Sequence, residues 1–70
     1  MADLVCNGYP SGRGAEVSGF NAKARLWLKE NVKSGHWIIP EQCVQIPIED
    51  VSQLLAKAAQ AGLEVKTNNL

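Results

Sequence analysis

The chain predicts an α+β fold: a small three- or four-stranded mixed sheet with two amphipathic helices packed on one face. Three observations carry that expectation. Residues 43–65 read as a complete strand–helix–strand unit. Residues 20–33 repeat apolar side chains at helical spacing, and short alternating or apolar stretches stand at 3–6 and 36–46. Two helical stripes and several short strands bury their apolar sides most simply when both helices lie on one face of one sheet.

Asp3 to Cys6 gives a short first strand. Residues 7–19 follow, holding Gly8, Gly12, Gly14, Gly19 and Pro10, a composition that predicts turn and loop. Weak strand pairing around Glu16 and Val17 is the only regularity expected within it, because a connection of that length is uncommon in so small a domain.

The helix at 20–33 places Phe20, Ala24, Trp27, Leu28 and Val32 on one side and Arg25, Lys29 and Lys33 on the other. Asn21 suits its N-cap. A strand is the competing reading of 24–28, but it would set Trp27 among the charges, so the helix is preferred. Lys33, Ser34 and Gly35 form its expected end.

Residues 36–46 are apolar and interrupted by Pro40, which cannot donate to a ladder. They are either two short strands joined by a turn or one edge strand with a bulge. Val44, Ile46 and Ile48 then alternate with Cys43, Gln45 and Pro47 at the two-residue period of a half-buried strand.

The second helix begins near Pro47 or Ile48, with Glu49 and Asp50 in the first turn, where the helix dipole favours acids. Its stripe is expected to be Ile48, Val51, Leu55, Ala58 and Ala59, with Leu54 on the flank. Gly62 stands where a helix end favours a left-handed residue. Leu63 and Val65 resume strand alternation, and residues 66–70 are expected to be a frayed tail.

Seventy residues make one domain, 1–70, near the lower size limit for folding without a metal, disulfide or partner. Seven Lys and Arg balance seven Asp and Glu, so no overall field steers the chain onto nucleic acid or an acidic membrane. Without a secretory signal or a run of membrane-spanning length, a cytoplasmic protein with no membrane association is expected. Cys6 and Cys43 are then expected to be reduced, although a bridge closing so long a loop would stabilise by ~4 kcal/mol in the chain-entropy model.

The chain carries little chemistry. Gly12-Arg13-Gly14 before a helix superficially suggests a phosphate cradle, but Phe20-Asn21 stand where a Lys and a Ser or Thr would follow the last glycine. His36 has no companion at metal-ligand spacing, so no metal and no cofactor are expected. Nothing marks Cys6 or Cys43 as an activated nucleophile. The expectation is therefore that the chain is not an enzyme.

Two surface readings remain. Trp37, Ile38 and Ile39 offer large apolar groups to both faces of a strand, more than one covered face can bury. This predicts a protein-interaction module that self-associates as a homodimer and acts as an accessory or inhibitory protein, its other protein partner unidentified. Trp37 and Ile39 are the expected contacts, with Arg13 on the loop. The alternative is a nucleic-acid-associated protein that contacts phosphates through Arg25, Lys29 and Lys33, four residues apart on one helix face. It is the less favoured reading, since no aromatic platform accompanies that stripe.

Overall fold

A computed structural model describes residues 2–33 and 35–70. Ser34, part of the expected helix end, lies outside the described residues. Among these residues are five strands and two helices in the order β1 (Leu4–Gly8), β2 (Gly14–Gly19), α1 (Ala22–Asn31), β3 (His36–Ile39), β4 (Cys43–Pro47), α2 (Ile48–Gln60) and β5 (Val65–Asn68). The fold is α+β, with the strands forming one mixed sheet in the order β3-β4-β2-β1-β5.

The sheet has five strands rather than three or four, because the second half of the expected glycine-rich loop is a strand, and the last strand runs further than expected. Within the glycine-rich stretch at 7–19 the loop ends at Arg13, and β2 takes the centre of the sheet between β1 and β4. Its inward residues are small, and Ala15 and Val17 are completely buried. Residues 66–68, expected to fray, lie in β5, which pairs in parallel with β1. Polar side chains are compatible with that place because β5 is an edge strand whose order comes from its backbone pairing.

Residues 36–46 combine the two expected alternatives. Ile39 and Gln42 close a turn through a 3.0 Å backbone bond, with Pro40 and Glu41 at its centre, joining β3 to β4. β3 is also an edge strand, with its register interrupted between Trp37 and Ile39.

Strand directions follow from the ladders. β2 is antiparallel to both β1 and β4, β3 is antiparallel to β4, and β5 is parallel to β1. Thus α1 joins the parallel strands β2 and β3 across β4, and α2 joins the parallel strands β4 and β5 across β2 and β1. The strands flanking α2 are parallel but not neighbours.

Both helices contribute to a single core. Ala24, Leu28 and Val32 of the α1 side and Val51, Leu54 and Ala58 of α2 meet Leu4, Cys6, Ala15, Val17, Val44 and Ile46 of the sheet. Asn21 caps α1 as expected, its side chain accepting from Ala24 N–H at 2.8 Å. Phe20, expected on the buried stripe, is instead exposed ahead of that cap. In α2 the stripe is centred on Leu54, while Leu55 is half-buried and Ile48 and Ala59 are exposed.

The end of α2 has the bonding of a Schellman motif. Gly62 N–H donates to Ala59 O and Leu63 N–H to Ala58 O, both at 3.0 Å, with Gly62 at φ +81°. Leu63 and Ala58 are both buried, so the cap directs the chain back toward the core before β5.

Candidate functional site: the open sheet face and its β3 edge

Because the helices share one face, the other face of the sheet has no helix on it. Register assigns its residues. One row runs His36, Gln45, Glu16, Asn7 and Asn68 across all five strands, and the next runs Ile39, Cys43, Ser18, Val5 and Lys66. The first row is polar throughout. Asn68 Nδ2 donates to Asn7 Oδ1 at 2.9 Å within it.

Glu16 is the centre of a small network on this face. The Cys43 thiol donates to Glu16 Oε1 at 3.3 Å, and Ser18 Oγ donates to Cys43 Sγ at 3.4 Å. Tyr9 lies close enough to feel the Glu16 carboxylate. Burial, reinforced by the Glu16 charge, raises the Tyr9 pKa. Burial likewise pushes the Cys43 thiol up, opposed by the Ser18 hydrogen bond and assisted by Glu16, and burial raises Cys6. Both shifts run opposite to nucleophile activation, which requires a lowered thiol pKa.

The two thiols are free and lie on opposite faces. Cys6 pairs with Val17, whose other partner is Val44, on the core side; Cys43 pairs with Ser18 on the open side. With β2 between their strands, their α-carbons stand about 10 Å apart, beyond the reach of a disulfide.

The residues singled out from sequence distribute along β3 without forming one patch. Trp37 pairs with Val44 and packs, partly buried, against the core. Ile39 lies opposite Cys43 on the open face and is 50% exposed; Ile38, at the irregular position between them, is 46% exposed. Arg13 is exposed and lines a 360 Å³ cleft with His36, Tyr9 and Gln45 near the start of β3. Three residues of strand, about 10 Å, separate that point from Ile39.

Arg25 and Lys29 lie on α1, but the helix ends at Asn31, so Lys33 is not on it and the expected three-residue stripe does not form. The two helical charges are engaged by the protein itself. Arg25 Nε donates to Gly19 O at 3.2 Å. Lys29 Nζ meets Glu41 Oε1 at 2.9 Å, linking α1 to the β3–β4 turn. These contacts make two of the three charges part of the packing between α1 and the sheet.

Sequence reasoning missed Leu26 as a surface feature. Leu26, off the buried stripe of α1 and 58% exposed, lines a 330 Å³ groove with Pro40 and Gln42. The only signal for it was a leucine on the polar side of the helix. Its significance depends on where the β3–β4 turn falls, which periodicity does not reveal.

Among the described residues, no group of three or more His, Cys, Asp or Glu side chains is placed to hold a metal ion. No helix among them is long and apolar enough to cross a membrane. Comparisons with protein-family models, with curated proteins and with solved structures find no match to this chain.

Proposed function

We propose that the chain is a small non-catalytic interaction module that self-associates through β3 and acts as an accessory or inhibitory protein by surface binding. The observation that carries this reading is the character of the β3 edge. An edge strand offers unpaired backbone groups, and proteins ordinarily protect such edges with charge, proline or cover. Residues 36–39, His-Trp-Ile-Ile, contain no lysine, arginine or acid, and Ile38 and Ile39 are about half exposed. The opposite edge differs: β5 carries Lys66 and Asn68 on the open face.

A second copy laid antiparallel along β3 continues the sheet and covers Ile38 and Ile39 with the same residues of its partner, a two-fold arrangement. Trp37 then acts from behind, holding β3 against the core, and Arg13 flanks the far end of the contact. Two unbridged thiols suit the reducing, cytoplasmic setting expected from the sequence.

Sedimentation of the wild-type protein at micromolar concentration tests the reading. A dimer is expected, converted to a folded monomer by Ile39→Lys, which places a charge at the edge. A wild-type monomer under those conditions rejects self-association.

A further inference from the structure

The geometry points to the cleft between the β1–β2 turn and the start of β3 as a binding site for a small carboxylate, gripped by the Arg13 guanidinium. This goes beyond self-association, since every residue it uses belongs to one chain. The cleft, about 360 Å³, lies at the small end of the range for ligand pockets. Arg13, His36, Gln45, Ser11 and Tyr9 give it five side chains that form hydrogen bonds, and none of its described lining residues is acidic.

The turn fixes the backbone of Arg13 from both sides. Gly12 N–H donates to Tyr9 O at 2.9 Å, and Arg13 N–H donates to Ser11 Oγ at 3.3 Å. The Arg13 carbonyl accepts the Ile48 N–H at 2.9 Å, which ties the turn to the start of α2. The guanidinium itself is left over. Arg25 and Lys29 are taken up by contacts within the protein, but among the described residues neither the Arg13 guanidinium nor the His36 ring has an ion-pair or hydrogen-bond partner. His36 lies opposite Gln45 across the β3–β4 ladder, so these two side chains stand together on the open face.

The donor set selects the anion. The Gly12 and Arg13 N–H groups are spent within the turn, so they offer no cradle of backbone donors to a phosphate. The Glu16 carboxylate, opposite Gln45 in the same row of the open face, opposes a second negative charge. One guanidinium remains, and its planar fork matches the two oxygens of a carboxylate. Ser11 Oγ accepts from Arg13 N–H and keeps its own hydrogen to donate, and the Gln45 amide supplies further N–H groups. A single negative charge on a short, polar molecule, as in lactate, suits these donors.

NMR titration of the full chain with lactate, at ionic strength held constant with chloride, tests the assignment. Saturable shifts of the Arg13 Nε–H and of the Gln45 side-chain amide are expected, and lactamide, which lacks the charge, should give none. Arg13→Gln should abolish saturation at Gln45. Arg13→Lys keeps the charge without the fork and should weaken binding several-fold. Arg13 is exposed, so thermal melts of both variants should match the wild type. Ile39→Lys, the expected monomer, should still saturate. Absence of saturation in the wild type, saturation retained in Arg13→Gln, or an equal response to lactamide overturns the inference. Inorganic phosphate saturating the same signals at lower concentration than lactate overturns the carboxylate assignment. Loss of binding in Ile39→Lys alone would place the site between two copies and overturn it as a site of one chain, without touching self-association.

Discussion

Asn21 Nδ2 donates to Asp3 Oδ1 at 2.6 Å, while Asn21 Oδ1 accepts from Ala24 N–H at 2.8 Å. The residue that caps α1 is thereby fixed to the residue that precedes β1. Asp3 Oδ2 also accepts the Glu64 N–H at 2.8 Å, just before β5. One carboxylate thus joins the approaches to three elements.

Acid should loosen that junction. The Glu64 backbone bond and then the Asn21 bond hold the Asp3 carboxyl below its ordinary range. A depressed folded-state pKa contributes stability that is present above the unfolded value and lost as pH falls through the folded one. Asp3→Ala should lower the melting temperature at neutral pH and flatten the fall in stability below about pH 4. Thermal melts of both proteins across pH 2–7, read as their difference, provide the check; parallel curves would remove the electrostatic role.

Core truncation distinguishes adjacent leucines in α2. Leu54 is 8% exposed within the core, whereas Leu55 is half-buried and packs against its margin. Leu54→Ala should cost ~2–5 kcal/mol, Leu55→Ala clearly less, and Gln53→Ala within ~0.5 kcal/mol. Urea denaturation gives the order; Leu55 exceeding Leu54 would mean that the helix is rotated from this placement.

Two positive-φ positions should respond in opposite directions. Gly62→Ala places a β-carbon at φ +81° with no atom within 4 Å of it, so backbone conformation alone should destabilise by ~1–2 kcal/mol. Glu41 already occupies φ +66° in the β3–β4 turn, after Pro40, where a type II turn favours glycine. Glu41→Gly should stabilise by ~0.5–1 kcal/mol, because the exposed Lys29–Glu41 pair that it removes is worth little. A Lys29→Met control isolates the pair, and a destabilised Glu41→Gly would falsify the strain argument.

Thiol reactivity should follow burial. Cys6 is fully enclosed and Cys43 is 6% exposed, and burial raises the pKa of both. In the native protein Cys43 should react slowly with a disulfide reagent and Cys6 more slowly still. Both should titrate on unfolding without reductant, and recovery of neither would contradict the separation of their strands.

The elements that could be read from sequence are those whose local signals agree with their packing. Asn21 and Gly62 mark helix ends by short-range chemistry that tertiary structure leaves intact. β4 alternates because its core face meets the helices and its other face meets solvent. β2 was hidden because its glycines suggest a loop. Yet Gly19 lies against Arg25 and Ala24, where a β-carbon would stand 3.0–3.3 Å from their atoms, so its smallness admits α1. The face of α2 was misjudged by one residue: Leu54 and Leu55 are 100° apart on a helix, and the stripe alone does not decide which points at the sheet. Trp37 and Ile39 were correctly read as belonging to one strand that offers apolar groups to both sides. The irregular register between them, which exposes Ile38 as well, depends on a partner strand that no local pattern reveals.

The interleaved crossovers set the order in which this molecule can be assembled. β1 and β2 meet through a short connection, as do β3 and β4, so each hairpin closes only a small loop. Joining the hairpins brings β2 beside β4 across α1 and β3, and β5 pairs with β1 only after Leu4 has found Val65. Loop-closure entropy must be met before these distant pairings return any stability. A nascent chain therefore keeps the second edge of β1 open until residues 65–68 have emerged, with its core residues covered on one side only. Folding should behave as a single late event, and a fragment ending after α1 should show hairpin and helix signals without a stable core.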